Sequence, residues 1–182
     1  MVKRIFFLAF TIMLLQISVC SAKLIYDNTG KITFETSNEW YYTSFGEDIA
    51  TYELHSIALN PYTCVIFKQS KYAVKYNSMA QMSISEKSVL RDQLLQFHID
   101  LFKNKGYSVR VNKTEIFDDS IVISLFMKRR FSEYRALLMY CIKGNAVYSI
   151  CCMGDTNSIF EATKVVKTLK IDGIPFDDWE PT

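Results

Sequence analysis

The segment from residue 107 to residue 153 constrains the fold most strongly. Four strand-length runs, apolar or alternating, follow one another in it and are separated only by short turn signals. Asp118-Asp119 and Gly144-Asn145 are typical of tight turns, and Phe131-Ser132-Glu133 is the third candidate turn. Strands joined by such short connections pair with their sequence neighbours in antiparallel order. The sequence therefore predicts a four-stranded antiparallel meander of Tyr107–Phe117, Ile121–Phe131, Tyr134–Ile142 and Ala146–Met153.

Two other segments have the 3.6-residue period of an amphipathic helix. The first is predicted from Ile84 to Lys105, with Ser83 and Glu86 at capping-box spacing and Gly106 after its end. The second begins near Asn157 or Ser158, where Ser158 and Glu161 again have capping-box spacing. Their predicted buried stripes are Leu90, Leu94, Phe97 and Leu101 in the first helix, and Ile159, Ala162, Val166 and Leu169 in the second.

Three strands are predicted before the first helix. They are Lys31–Thr36, which Asn38-Glu39-Trp40 ends, then Ile49–Ile57, and finally Tyr62–Lys68. The third is apolar on both faces, which predicts a central position in the sheet. The predicted order is βββαββββα, an α+β fold: a largely antiparallel sheet of about six to seven strands with two helices packed on it.

Residues 1–22 have the three-part pattern of a secretory signal peptide. A basic Lys3-Arg4 pair precedes an apolar stretch from Ile5 to Val19, and small residues follow as far as Ala22. The apolar stretch is shorter than the roughly 20 residues that a membrane-spanning helix needs. We expect cleavage after Ala22, or after Cys20, and a secreted or periplasmic mature protein. An uncleaved N-terminal anchor is the alternative.

A lipid anchor is a further possibility for the N-terminal segment. Ile17-Ser18-Val19-Cys20 resembles a bacterial lipobox, in which the cysteine becomes the lipidated first residue. Ile17 and Val19 stand where that motif prefers leucine and a small residue. Membrane association is therefore expected only if Cys20 is lipidated or the signal segment is uncleaved.

The charge balance excludes a strongly basic nucleic-acid-binding protein. The chain carries 21 Lys and Arg against 19 Asp and Glu, and removal of residues 1–22 takes away two bases and no acid. The remaining chain is long enough for one domain with its own core, predicted over residues 23–172. Residues 173–182 contain Asp177, Asp178 and Glu180 and no base, which predicts an acidic C-terminal tail.

The cysteines left after signal cleavage lie in apolar, strand-like runs. Four of them, Cys64, Cys141, Cys151 and Cys152, could form two disulfides in an oxidising compartment, with three possible connectivities. Buried free cysteine is also a common small apolar residue, so free or partly paired thiols are favoured over a disulfide framework. Alternation along a strand places the side chains of Cys151 and Cys152 on opposite faces.

No motif of catalysis, metal binding or cofactor binding stands out. The sequence has no nucleophile elbow, zinc-protease helix, phosphate-binding loop or C-x-x-C pair. Its two histidines, His55 and His98, lack a partner motif. Cys64 and His55 could face each other across a hairpin, but a reactive thiolate needs an accessible, electropositive setting that the apolar Cys64 segment does not offer. We expect a protein that is not an enzyme and has no cofactor or metal.

Two regions are candidates for binding a partner. The loop from Ser70 to Ser83 offers aromatic and methionine side chains, namely Tyr72, Tyr76, Met79 and Met82. The densest basic cluster consists of Lys128, Arg129 and Arg130, with Arg135 across the next turn. Alternation places Lys128 and Arg130 on one face. The cluster is either a solvated strand end or a docking patch for an anionic partner.

The order of elements resembles that of the PsbP-like superfamily, which includes DcrB-like bacterial proteins. The resemblance rests on the early strand that leads to Trp40, the long helix ending at Gly106, the hairpin Tyr134–Met153, and the closing helix Ser158–Leu169 with Lys170-Ile171-Asp172 after it. It covers residues 30–172. The resemblance implies a small binding or accessory protein without a shared enzymatic site, and it implies no substrate.

Two functions follow from these observations. The first is a secreted or periplasmic non-enzymatic binding or accessory protein, whose partner is another protein or an envelope component and not nucleic acid. The alternative is a carrier of a small apolar ligand held between the long helix and the sheet, which the 24 Phe and Tyr residues permit.

Overall fold

The protein is known from a computed structural model that describes residues 23–26, 32–36, 40–45, 50–56, 63–69, 73–156, 158–171 and 174–175. Seven strands form one antiparallel sheet in the order β3-β4-β5-β9-β8-β7-β6, and four shorter strands form a second sheet in the order β1-β2-β10-β11. The strands are β1 (Lys23–Tyr26), β2 (Ile32–Thr36), β3 (Trp40–Phe45), β4 (Ala50–Ser56), β5 (Cys64–Gln69), β6 (Ser108–Ile116), β7 (Ser120–Arg129), β8 (Ser132–Lys143), β9 (Ala146–Gly154), β10 (Lys170–Ile171) and β11 (Ile174–Pro175). The helices are α1 (Ile84–Asn104) and α2 (Ile159–Lys167), and a short 3₁₀ turn spans Met79–Gln81.

The predicted meander is confirmed. Strands β6 to β9 pair consecutively and antiparallel. Gly144 and Asn145 form the β8–β9 turn with φ of 57° and 65°, the left-handed pair that a two-residue hairpin requires. The β7–β8 turn differs from the prediction, because Arg129 pairs with Ser132 and only Arg130 and Phe131 are left in the loop. Arg130 itself has φ of 56°, which allows this tighter turn.

The two helices pack on opposite faces of the large sheet. On one face, α1 lies over β6 and β7 and covers the inward side chains of β7, including Ile121, Ile123, Leu125 and Met127. On the other face, α2 lies over β9 and β5, where Val165, Val166 and Leu169 join a core with Phe67 and Cys152. The predicted α+β fold, a mainly antiparallel sheet with two helices on it, is therefore confirmed.

Helix α1 has the predicted position, and its buried face matches the predicted stripe in part, since Leu90 and Leu94 pack against the core. The capping box is present, since the Glu86 amide donates to Ser83 Oγ and the Ser83 amide donates to Glu86 Oε2. Phe97, predicted to be buried, is 59% exposed, whereas Lys87, His98 and Phe102 are buried. Hydrogen bonds stabilise the two polar residues among these three. Lys87 Nζ donates to the Asp118 carbonyl at 2.8 Å, and His98 Nε2 hydrogen-bonds the Tyr140 hydroxyl.

Helix α2 begins at the predicted place without the predicted capping box. The Ser158 side chain makes no cap hydrogen bond; its Oγ accepts from the Asp155 amide and from Thr63 Oγ1 instead. At the other end of the helix, Thr168 Oγ1 accepts a 2.8 Å hydrogen bond from the Glu35 amide. These hydrogen bonds tie the start of the closing helix to Thr63, just before β5, and its end to Glu35 on β2.

The first strand of the large sheet is not the predicted one. Ile32–Thr36 does form a strand, but it pairs with β1 and β10 in the small sheet. The first position in the large sheet belongs to β3, Trp40–Phe45, whose first residue was predicted to end the preceding strand. The other two predicted strands are confirmed as β4 and β5, and β5 is central, between β4 and β9.

Several predictions concern residues near the chain ends. The predicted signal segment, residues 1–22, lies outside the described residues, and so do residues 176–182 of the predicted tail. Ile174–Pro175, at the start of that tail, pairs with Lys170–Ile171. Within the described part of the chain, no helix is both long enough and apolar enough to cross a membrane.

Candidate binding site

Two arginines flank one phenylalanine on the face of the sheet that carries α2. Arg110, Phe126 and Arg135 are direct cross-strand partners on β6, β7 and β8. The guanidinium carbons of Arg110 and Arg135 lie 5.0 and 4.8 Å from the centre of the Phe126 ring. We call these three residues the arginine row. Both arginines are within the distance at which a cation interacts favourably with an aromatic ring.

The strand register places the arginine row on the side of the sheet away from α1. Leu125 and Met127, the chain neighbours of Phe126, are buried beneath α1, so alternation directs Phe126 to the opposite face. Helix α2 packs on β9 and β5, and the outer strands β6 to β8 extend beyond it. This arrangement leaves a groove between the outer strands and the start of α2.

The groove comprises two adjoining cavities that share Arg135. The larger has a volume of about 520 Å³ and is open to solvent, with all three members of the arginine row in its wall. The smaller, about 170 Å³, lies between the strands and Ile159, Phe160 and Thr163 of α2. The larger volume is within the range of small-ligand sites, whereas the smaller falls below it.

The charges in the groove are unevenly paired. Lys113 and Glu115 form an ion pair at 2.8 Å, and Lys128 and Glu133 approach to 3.8 Å. Among the described residues, neither Arg110 nor Arg135 has a carboxylate within ion-pair distance. The Nε atom of Arg135 is buried and has no acceptor in the described part of the chain. A guanidinium in this state can donate to a carboxylate or phosphate oxygen.

The predicted basic cluster is divided between two places. Lys128 and Arg135 line the groove. Arg130 lies in the β7–β8 turn, so the predicted common face of Lys128 and Arg130 is not observed. Arg129 stacks over Tyr107 on the opposite face, at 5.4 Å from the ring centre. Sequence reasoning missed Arg110 and Phe126, because only the register of β6 against β7 brings them beside Arg135.

Residues 73–83, the described part of the predicted binding loop, are held against the β8–β9 turn. The Val74 amide donates to the Asn145 carbonyl at 2.7 Å, and the Gly144 amide donates to the Asn77 carbonyl at 3.0 Å. Met79 is fully buried in the core beneath α1, contrary to its expected surface role, and Met82 packs against that core.

The remaining predicted residues of the loop are its tyrosines. Tyr76 donates a hydrogen bond to Glu86, which lowers the pKa of that carboxyl to about 2, together with hydrogen bonds from Ser83. Tyr72 lies outside the described residues. Tyr76 thus ties the loop to the first turn of α1.

The interface between α1 and the sheet bears on the alternative function as a carrier. Met79, Phe102 and Tyr107 pack there with Leu138 in one cluster of buried side chains, and Leu90 and Leu94 pack against it. A small apolar ligand in this position would have to displace core side chains.

The described cysteines lie in the core or pack against it. His55 and Cys64 are cross-strand partners, as the hairpin prediction requires. The four cysteines from Cys64 onward are reduced, and Cys151 and Cys152 lie on opposite faces as predicted. Burial raises the pKa of Cys141 to about 12 and also raises the pKa of Cys151 and Cys152. Thiols in this state stay protonated and are poor nucleophiles.

Titratable side chains elsewhere in the described part of the chain do not assemble into a metal centre. Within the described ranges, no three His, Cys, Asp or Glu residues lie close enough to hold an ion together. Asp118 and Asp119 lie in the predicted β6–β7 turn, which the Phe117 amide closes by donating to the Ser120 carbonyl at 2.8 Å. Burial, with a contribution from Lys68, lowers the pKa of His98 to about 4, so this histidine is neutral at pH 7.

Comparison with known proteins gives matches in structure alone. No protein-family profile matches the sequence, and no curated protein matches it either. The solution structure of the cyanobacterial PsbP protein CyanoP from Synechocystis sp. PCC 6803 matches over 86% of this chain and 95% of its own, with a TM-score of 0.60 and 6% identity. A crystal structure from Bacteroides thetaiotaomicron VPI-5482 matches over 82% of this chain and 48% of its own, with a TM-score of 0.49 and 13% identity. The likeness to CyanoP confirms the predicted resemblance at the level of architecture: this chain has a PsbP-like fold.

Proposed function

We propose that the protein is a non-enzymatic binding or accessory protein, secreted or periplasmic, that holds an acidic segment of a partner protein in the groove. The observation that carries the proposal is the half-buried Arg135, whose Nε donor has no acceptor among the described residues. Arg110 lies on the same Phe126 ring, with its guanidinium carbon 5.0 Å from the ring centre. A carboxylate side chain on a partner would supply the missing acceptor.

The composition of the groove favours an acidic protein over a polyanion. Glu115 and Glu133 line it with Lys113 and Lys128, so its charge is concentrated at the arginine row. A nucleic acid or other uniform polyanion would meet both glutamates as repulsive groups. Phe126, Ile159 and Phe160 add apolar surface, which an acidic peptide with apolar side chains can cover.

Binding of a fluorescein-labelled peptide of alternating glutamate and leucine, followed by anisotropy, tests the groove. Arg110→Met with Arg135→Met should weaken binding by at least tenfold, since two charge-assisted contacts are lost. Lys164→Met removes an exposed base on α2 that is paired with Glu161, and it should bind like the unaltered protein. Arg135→Lys should bind more weakly than arginine because lysine lacks the planar donor fork. Equal binding by the double variant and the unaltered chain would exclude the groove as the site.

The proposed location outside the cytoplasm is tested separately. Native mass spectrometry of protein recovered gently from its own source should give a polypeptide that begins at Lys23, because cleavage is expected after Ala22. An additional mass of acyl chains on a polypeptide beginning at Cys20 would show the lipid-anchored alternative instead. A polypeptide that still contains residues 1–22 would contradict cleavage. A protein that co-purifies with it would identify the partner.

A further inference from the structure

Among the strand connections that the structure describes, Phe131 has the most exposed large apolar side chain. It is 99% exposed and occupies the second position of the two-residue β7–β8 turn. Arg130 precedes it with φ of 56°, and Lys128 and Arg129 complete the end of β7. We call residues 128–131 the basic tip.

Further bases surround the basic tip. Arg129 stacks over Tyr107, which follows Gly106 at the end of α1, so the end of that helix adjoins the tip. Lys103 and Lys105 at this helix end are exposed. Residues 103–108 and 128–133 together carry five bases and one acid, Glu133, although the whole chain has nearly balanced charge. Positive charge is therefore concentrated around one exposed aromatic ring.

We propose that the basic tip docks the protein onto an anionic lipid bilayer, with the Phe131 ring inserted at the headgroup level and the surrounding bases over the lipid phosphates. Aromatic and apolar side chains bordered by lysine and arginine are typical of segments that bind the surface of a membrane without crossing it. Each base close to an anionic bilayer adds about 1 kcal/mol, or about fivefold in partition.

The shape of the tip favours a bilayer over a folded protein. A stable protein interface buries roughly 800 Å² on each partner, which a two-residue turn with one aromatic side chain cannot supply by itself. A bilayer needs no complementary pocket, since a single ring can enter between headgroups. The tip shares Lys128 with the wall of the groove, but its apolar ring projects into solvent and the groove is recessed. This inference does not depend on the function proposed for the groove.

The opposite end of the same strand provides a matched control. Phe117 is 40% exposed in the β6–β7 turn, next to Asp118 and Asp119 instead of bases. Phe117→Ser and Phe131→Ser are thus the same substitution at the two ends of β7. Neither side chain belongs to the buried core, so both variants should fold, and circular dichroism can verify this.

The test is co-sedimentation of a chain beginning at Lys23 with vesicles of equal parts phosphatidylglycerol and phosphatidylcholine. The unaltered protein should bind these vesicles and bind phosphatidylcholine vesicles at least tenfold more weakly. Phe131→Ser should reduce partition at least threefold, and Lys128→Gln with Arg130→Gln should reduce it at least tenfold. Phe117→Ser should leave partition unchanged.

A second readout places the ring in the bilayer. Phe131→Trp should gain tryptophan fluorescence that brominated lipids quench, beyond the quenching seen for the native tryptophans of the unaltered chain. Equal binding to neutral and anionic vesicles, or full binding by Phe131→Ser, would overturn the proposal. A third outcome is that the base substitutions abolish binding, whereas Phe131→Ser has no effect and Phe131→Trp adds no quenching. That result would show a site for polyanions rather than for a bilayer.

Discussion

Arg135 stacks on Phe126 across the β7–β8 pair, with its guanidinium carbon 4.8 Å from the ring centre and its Nε buried without an acceptor in the described part of the chain. The stacking contact is favourable, but a buried donor that lacks a partner costs about 1–3 kcal/mol of stability. Residues that are suboptimal for stability are common at binding sites. Arg135 Nε, the atom proposed to contact a partner, should therefore lower the free energy of unfolding of the free protein.

Replacing Arg135 by methionine should stabilise the free protein by about 1 kcal/mol, because methionine covers Phe126 without a buried donor. The free energy of unfolding in urea measures this change. Arg110→Met is the matched control, since Arg110 is exposed and its replacement should change stability by less than about 0.5 kcal/mol. A loss of stability in Arg135→Met would mean that the arginine is satisfied by contacts within the protein and is not waiting for a ligand.

Arg130 in the β7–β8 turn should also lower stability. Its φ of 56° lies in the left-handed region, which costs a non-glycine residue about 1–2 kcal/mol. Arg130→Gly removes that cost but increases the entropy of the unfolded chain, so we expect a net gain of about 0.5–1 kcal/mol. Ser132→Gly, at the first residue of β8, should instead reduce stability in the same urea titration. If both glycine variants lose stability equally, the turn is unstrained at Arg130.

The meander and both helices could be predicted because local signals and tertiary structure agree there. Gly144-Asn145 supports a two-residue turn through its backbone preferences, and Ser83 with Glu86 caps α1 through hydrogen bonds between near neighbours. Trp40–Phe45 was missed because Asn38-Glu39 indicates the end of Ile32–Thr36, whereas the residues after it do not alternate clearly between apolar and polar. Its aromatic run, Trp40-Tyr41-Tyr42, was the one available indication of a strand.

The binding site was only partly predictable, since it depends on the register in which β6, β7 and β8 pair. Lys128 and Arg135 stand out in the sequence as members of a basic cluster, but Arg110 is 25 positions before Arg135 and becomes its neighbour through two strand pairings. Part of the buried face of α1 was misplaced for a similar reason. His98 is buried because Tyr140, on β8, offers it a hydrogen bond that periodicity cannot reveal.

His98 should make the stability of the protein depend on pH. Its folded-state pKa of about 4 is below the unfolded value of 6.5, so the unfolded chain binds a proton first as the pH falls. The contribution of His98 is constant above pH 6.5 and is lost between pH 6.5 and pH 4, by up to about 3 kcal/mol. His98→Gln should show a smaller fall in unfolding free energy over this interval. An identical fall in both proteins would indicate that other groups cause the pH dependence.

The four thiols should react with Ellman's reagent only after unfolding. In a chain beginning at Lys23, all four are reduced, and three of the four are buried. Burial raises the pKa of Cys141 to about 12, so the reactive thiolate is scarce at pH 8. We expect four thiols to react in guanidinium chloride and almost none in buffer. Fewer than four after denaturation would show that disulfides form, and fast reaction in buffer would show an accessible thiol.

Gly154 at the end of β9 should tolerate no side chain. A Cβ atom there would lie 2.7 Å from Ser158 Oγ, 3.2 Å from the Ile159 amide nitrogen and 3.3 Å from Thr63 Oγ1. Because Ser158 Oγ accepts a buried hydrogen bond from Thr63, it cannot move away without a cost. Gly154→Ala should therefore destabilise the protein by about 1–3 kcal/mol in urea unfolding.

A double-mutant cycle shows whether the Gly154 effect arises at the start of α2. Ser158→Ala removes the closest atom, so Gly154→Ala should cost about 1 kcal/mol less in that background than in the unaltered protein. Gly144→Ala is a useful comparison, since nothing lies within 4 Å of its added Cβ and its cost comes from φ of 57° alone. Its effect should be independent of Ser158. Additive costs for Gly154→Ala and Ser158→Ala would mean that the end of β9 and the start of α2, which lines the groove, are not in close contact.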